Sequence, residues 1–506
     1  MMATREEWCA DKLSKLLNED LRISTLNEIK THFEGISDTE AMQTAELLEL
    51  PLVFDCLNDS NQEQVDLACE VLSLCMEKLD IGEAALRYTI PLERALTHPN
   101  PGVKVMALDE LSRILNCSSQ QRNTLVNNLC KANIFANVVK CIGDDDLKVG
   151  ARSVGIVSSF SALNPDCILS ANIIQIMKET MAKNEVVRLR FYELFITISV
   201  ESETAHGSIV RRGLLAPMLE EINTNDVLLR LNIIEMLTTL VQKDYGYAYL
   251  KREGFIDKIF RLFINEADPI FLQLCEPGIL KFYGHMAECK PAEAFEKYPE
   301  VINKVFDNLS SSDYTVLKVS LETLGYISRS DKLVLDSFVG FQMISALKSM
   351  AERLQTFPTE VKLLVLTWLE DLLAIHHQNG VKNDSKIALK WFSSFGENAM
   401  DLIMNYVKNP FEEMRLAGLK VLTALTMHNW GQDKIKTYPA LIELLLDRGA
   451  ESFKSTKDQK YALVKSLHDN DFGVFDEETK RRFEAFVIEG PHYVRAVTEI
   501  AIEGNE

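Results

Sequence analysis

One pattern recurs along this 506-residue chain: a polar or proline opening, an apolar residue, one lysine or arginine, then apolar residues at helical spacing. NPGVKVMALDELSRIL begins at Asn100, DDLKVGARSVGIVSSF at Asp145, NEVVRLRFYELFITIS at Asn184 and NDVLLRLNIIEMLTTL at Asn225. DYTVLKVSLETLGYIS follows at Asp313, PTEVKLLVLTWLEDLL at Pro358 and PFEEMRLAGLKVLTAL at Pro410. The basic residue serves as a ruler: Lys104, Lys148, Arg188, Arg230, Lys318, Lys362 and Arg415, at intervals of 44, 40, 42, 88, 44 and 53. The doubled interval places a further copy near residue 274, where DPIFLQLCEPGILKFYGHMA has Leu274 in the basic slot. Asp66, 38 before Lys104, and Lys460, 45 after Arg415, extend the series. A period of about 40–47 residues is that of HEAT and armadillo repeats.

The other half of each unit is amphipathic too. KANIFANVVKCI (from Lys131), RRGLLAPMLEEI (from Arg211), REGFIDKIFRLF (from Arg252) and GFQMISALKSMAER (from Gly340) each open on Gly or a polar residue. That opening suits the end of one helix and the restart of another. Two helices cannot bury both of their apolar stripes against each other alone, so neighbouring units must stack. Strand-like alternation is scarce. Prolines fall mostly where helices start: Pro101, Pro269, Pro291, Pro358 and Pro410. The expected fold is an all-α, HEAT/armadillo-like superhelical solenoid of roughly nine or ten repeats, a single body over 1–490. The polar run HHQNGVKNDSK, 376–386, reads as an extended loop. After Gly490–Pro491 the tail 491–506 keeps Tyr493, Val494, Val497, Ile500 and Ile502. The expectation is that it packs on the last repeat, over Phe483, Phe486 and Val487; a docking arm is the alternative.

A formal net charge of -20 argues against a nucleic-acid backbone or an anionic membrane as main partner. Lys480, Arg481 and Arg482 read as a solvated helix face. No apolar h-region opens the sequence, and runs such as LLVLTWL (Leu363–Leu369) are far shorter than the roughly 20 residues of a membrane helix. Cys69, Cys75, Cys130 and Cys141 sit among apolar positions, so reduced thiols and a cytoplasmic, also nuclear, location are expected. Phosphate-loop, dinucleotide, nucleophile-elbow and zinc-protease signatures are missing. Neighbouring His376 and His377 point about 100° apart on a helix and lack metal-spaced companions. Glu370–Asp371 reads as a helix-end surface. No catalytic, metal or cofactor residues are assigned, and partner-contacting residues stay unknown. The recurrent cations read as ties between repeats, since a position embedded in a repeat rule serves architecture first.

From KANIFANVVKCIGDDDL to the last residue the chain resembles the S5b-type family of proteasome assembly chaperones. The likeness is clearest in NDVLLRLNIIEMLTTL, WFSSFG (Trp391–Gly396), LKVLTALTMHNWGQ (from Leu419), KDQKYALVKSL and EGPHYVRAVTEIAIEGNE. The resemblance implies a non-enzymatic chaperone for the base of the 19S regulatory particle, absent from the mature 26S particle. Its implied partners are proteasomal ATPase subunits, chiefly regulatory subunit 7, in a module with regulatory subunit 4 and non-ATPase subunit 2. The free protein is expected to be monomeric. The alternative is an armadillo-type transport or tethering adaptor. That class would need Trp recurring with the repeat, whereas the four here (Trp8, Trp368, Trp391, Trp430) do not.

Overall fold

The computed structural model describes residues 4–265, 269–376 and 381–493, with no strand among them. They form two compact units that divide between Ile222 and Asn223. In the first unit one row of helices packs neighbour on neighbour: α1 (Arg22–Gly35), α2 (Gln62–Lys78), α3 (Pro101–Arg113), α4 (Leu147–Leu163) and α5 (Glu185–Glu201). The second unit has the corresponding row α6 (Val227–Val241), α7 (Pro269–Cys289), α8 (Tyr314–Ser328), α9 (Thr359–Leu373), α10 (Glu412–Thr426) and α11 (Lys454–Asp469). Every stretch that carries the sequence pattern is a row helix. The row also includes α1, whose RISTLNEIKTHFEG follows Leu21 without a polar side-chain cap and so escapes the rule.

The polar openings have a specific job. The first N–H groups of a helix have no partner within it, and a short polar side chain just before them accepts their hydrogen bonds. Asn61, Asn100, Asp146, Asn184, Asp226 and Asp313 each do this for their row helix. The apolar stripe then turns inward: Leu229, Ile233, Ile234, Leu237, Leu240 and Val241 of α6 are all buried. Between rows, Gly213 and Gly254 take φ of 67° and 69°, the left-handed conformation expected where a helix ends and another restarts.

Gly340 corrects that expectation. It lies inside one continuous helix, Lys332–Arg353. A side chain there would meet Asp336 one turn earlier, whose carboxylate pairs with Lys390 at 2.7 Å. The segment Lys332–Thr356 also has the length and apolar composition of a membrane span. Its helix packs against two others of its unit, through Leu335, Val339, Met343, Leu347 and Met350, as a core helix does. The loop read into 376–386 is corrected too, because a helix runs over Val381–Ser394; residues 377–380 lie outside the described residues.

Two glycines set how closely a row helix meets the helix that follows it. Gly246 faces the Leu240 carbonyl and Gly431 the Leu425 carbonyl, each too close for a β-carbon. Both stand six residues after that carbonyl, each preceded by an aromatic residue, Tyr245 or Trp430. Gly431→Ala is expected to lower stability by about 1–3 kcal/mol through overpacking against backbone, read by denaturant unfolding. An unchanged midpoint would show that the two helices separate freely.

Candidate functional site

The slot cations resolve into ties and exceptions. Lys104 reaches Asp144 at 2.5 Å, Arg188 reaches Glu221 at 2.5 Å, Lys318 reaches Glu360 at 2.8 Å and Arg415 reaches Glu451 at 3.0 Å. Each carboxylate stands 33 to 42 residues further on, in the next repeat. Arg415 also donates to the Asn409 and Ala450 carbonyls. Lys460 is buried and donates to the Asp447 carbonyl. Lys148 departs from the rule: its cap, Asp146, stands only two residues before it, which leaves it exposed in the first turn. The position four after that cap is Gly150. There the Arg190 guanidinium fills the space of the missing side chain and donates to the Ile142 and Asp144 carbonyls at 2.8 Å.

These contacts support architecture. Arg415→Met is expected to cost about 2 kcal/mol, because it leaves the buried Glu451 without its charged partner. Capture of protein partners by the folded variant should stay unchanged. Lost capture at an unchanged melting temperature would assign the cations to ligand binding.

The nearest approach to a chemical cluster lies at the C-terminal end of α9. Asp371 is buried and accepts both Arg329 Nε (2.9 Å) and Nη2 (3.1 Å) from the preceding repeat. It is therefore an inter-repeat tie and not the helix-end surface expected of Glu370–Asp371. Burial of Glu370 pushes its carboxyl above the usual range. The last carbonyls of α9 are served from three places. His376 Nε2 donates to Asp371 O at 3.0 Å, Lys332 Nζ to Leu372 O at 2.6 Å and His428 Nε2 to Leu373 O at 2.7 Å. Expected as a solvated loop pair, the two histidines part here: His376 caps a helix, and His377 lies outside the described residues. All these donors point at main-chain oxygens, so the cluster ends a helix and leaves no face for a substrate. No group of three or more metal-ligating side chains occurs among the described residues.

Cysteine chemistry needs one correction. Cys130 and Cys167 form a disulfide with Cα atoms 5.7 Å apart. The helix Ser119–Lys131 and the short helix Pro165–Ile168 bring together two residues that sequence spacing does not connect. The other cysteines form no disulfide, and burial pushes Cys56 and Cys141 up to about 11 and Cys69 up to about 12. Among the basic residues of the last helix, Arg482 grips Glu443 through both nitrogens and Lys480 pairs with Asp471, on an exposed face as expected.

What faces outward in a repeating way is apolar. The first turn or cap of several row helices exposes Leu147 (72%) and Val186 in the first unit. In the second it exposes Leu228, Ile270, Tyr314, Phe411 (72%) and Phe453. The signal in the sequence is an apolar residue at or just after the helix cap, and in these helices the geometry of the helix start puts it outside. Singly exposed apolar side chains are ordinary, but their recurrence at corresponding helix starts leaves an apolar edge available to a partner. Tryptophan makes no such series: Trp368 and Trp391 are buried, and Trp368 Nε1 donates inward to Ser328 at 3.0 Å.

The described start of the tail turns back across the last repeat. Arg448 donates to the Gly490 and Phe486 carbonyls at 2.6 and 2.9 Å and stacks 4.0 Å from the Phe486 ring. His492 meets Asp458 of α11 at 3.1 Å. The apolar residues from Val494 onward lie outside the described residues.

Comparison with known proteins assigns this architecture a lineage. The family model described as "Proteasome non-ATPase 26S subunit" matches residues 5–506. Similar proteins include the 26S proteasome non-ATPase regulatory subunit 5 of Homo sapiens, 29% identical, over 97% of this chain and 99% of that one. The protein of that name from Mus musculus is 32% identical over the same shares, and that from Drosophila melanogaster 25% identical over 99% of both. Among solved structures, importin beta aligns with a TM-score of 0.59 at 14% identity, covering 95% of this chain and 67% of the other. Yeast importin-beta aligns at 0.56 and 12%, covering 96% and 59%. These likenesses establish the HEAT/armadillo solenoid class.

Proposed function

The chain belongs to the family of proteasome non-ATPase 26S subunits, and from that premise we propose that it is a non-catalytic assembly chaperone for the base of the 19S regulatory particle. In this reading it holds proteasomal ATPase subunits, chiefly regulatory subunit 7, with regulatory subunit 4 and non-ATPase subunit 2 in the same module. It leaves before the 26S particle is complete. The mechanism is steric: a scaffold occupying an ATPase C-terminal domain delays its docking on the 20S core. The full-length family match carries the proposal. The exposed apolar edge supports it, because a folding or assembly partner needs surface to hold and a solenoid presents that surface in series. In this reading it works in the cytoplasm, and also in the nucleus.

The test is a pull-down from cytosol with partners identified by mass. ATPase-ring subunits captured without 20S subunits are the expected result. Recovery of import cargo or vesicle proteins instead would replace this reading with the adaptor alternative, and turnover of a substrate by the purified chain would remove "non-catalytic".

A further inference from the structure

One seam of the second unit lacks a tie at the slot position, and its ion pair lies further along, where Lys281 of α7 meets Glu322 of α8 at 2.6 Å. In four other seams a slot cation crosses to a carboxylate of the next repeat, as Lys318 does to Glu360. On α7 the slot holds Leu274, whose side chain is 40% exposed. Between α7 and α8 there is a cavity of about 370 Å³ where a cation would lie. Leu274, Leu280, Val316 and Val319 form its apolar walls. Its charged lining residues are both acidic, Glu276 and Asp313.

Polar groups at this cavity have acceptor capacity to spare. Asp313 spends Oδ1 on the Thr315 N–H as a helix cap. Glu276 has its nearest cation, Lys304, at a loose 3.8 Å. Asn308 is 7% exposed and gives Nδ2 to Glu276 at 3.4 Å, while its Oδ1 takes no hydrogen bond among the described residues. Pro277, inside α7, has no N–H to offer the carbonyl of Gln273, another lining residue. Here an exposed carboxylate, a half-buried one and the Asn308 amide stand around an apolar slot, a lining complementary to a cation.

We propose that this cavity receives one lysine or arginine side chain from a protein partner, completing from outside the tie that Leu274 leaves unmade. The aliphatic stem lies along Leu274, Val316 and Val319, and the cationic head meets Asp313, Glu276 and Asn308 Oδ1. Long basic side chains bury their stems and keep their heads on polar groups in this way. The proposal rests on the reading of the chain as a protein-binding scaffold and adds the side-chain class that the partner must present.

The test uses the full chain and a fluorescein-labelled, capped peptide with one arginine between glycines, titrated by anisotropy. The control peptide carries citrulline, which keeps the shape and loses the charge. The arginine peptide should bind about tenfold more tightly than the citrulline peptide, since charge-assisted hydrogen bonds are the difference. Asp313→Asn keeps a good cap and should weaken arginine binding about tenfold with the melting temperature unchanged; Glu276→Gln should do the same. Leu274→Arg should fill the slot from within and abolish binding. Equal binding of both peptides, or carboxylate variants that bind like the wild type, would overturn the proposal. So would an arginine peptide that does not bind. Wild-type chain that captures proteasomal ATPases yet ignores the arginine peptide sinks only the pocket, and the converse result sinks only the chaperone reading.

Discussion

Leu237→Ala is expected to destabilise the second unit by about 2–5 kcal/mol, the range for deleting a fully buried leucine. Leu237 is 0% exposed and sits midway along α6 with Ile233, Ile234 and Leu240 around it on the buried face. On the other side of that face α7 packs directly against α6. The substitution therefore opens a void at a seam between repeats. Collapse of the void would require α6 and α7 to approach, and Gly278 of α7 already brings its backbone close to Leu231 and Ile234. Little relaxation is available, which favours the upper part of the range. The measurement is denaturant unfolding followed by tryptophan fluorescence, since Trp368, Trp391 and Trp430 all report from the second unit. A loss within about half a kcal/mol, the usual scatter of a surface substitution, would mean that the helix phase is wrong. In a stack where each repeat rests on its neighbours, a local loss also weakens the adjoining interfaces.

The repeat was legible because its two strongest signals are local. A cap must stand within one turn of the N–H groups it serves, and an apolar stripe must recur at 3.6 residues, so both leave marks at fixed spacing. What escaped the sequence was set by contacts about 40 residues away. Asp371 looked like surface because nothing nearby in sequence shows that Arg329 turns toward it. Lys148 looked like a tie, although the slot four after Asp146 is Gly150 and its space belongs to Arg190. Gly340 looked like a break because glycine is a poor helix former; the helix continues through it because its buried face is already packed. The interaction edge shows the same limit in another form. An apolar residue beside a cap reads as core in a pattern, and only the direction of the first turn sends Leu228 or Tyr314 outward. Partner identity was not legible from spacing at all, and the proposed ATPase partners rest on the family resemblance alone.

Acidification should strike the cap of α9 before it strikes the apolar core. His428 is buried as a neutral imidazole with both nitrogens used: Nε2 donates to the Leu373 carbonyl, and Nδ1 accepts from the Ser385 hydroxyl at 3.2 Å. Burial, with Lys332 nearby, pulls its pKa down to about 4 from an ordinary 6.5. Between those values the unfolded chain binds a proton that the folded chain refuses, so stability falls as pH falls. The effect is fully absent above pH 6.5 and complete below pH 4, and it amounts to about 3 kcal/mol. Lys332 adds a second window of the same sign. Burial lowers its pKa from 10.5 to about 8, so stability also declines as pH drops through that interval. His428→Gln isolates the first window, because the glutamine amide can still donate to Leu373 O and does not titrate. Wild-type protein is expected to lose about 3 kcal/mol more than this variant between pH 6.5 and 4, while carboxylates common to both cancel in the difference. Parallel stability curves would show that the imidazole is protonated in the fold and that its place at the helix end does not depend on neutrality.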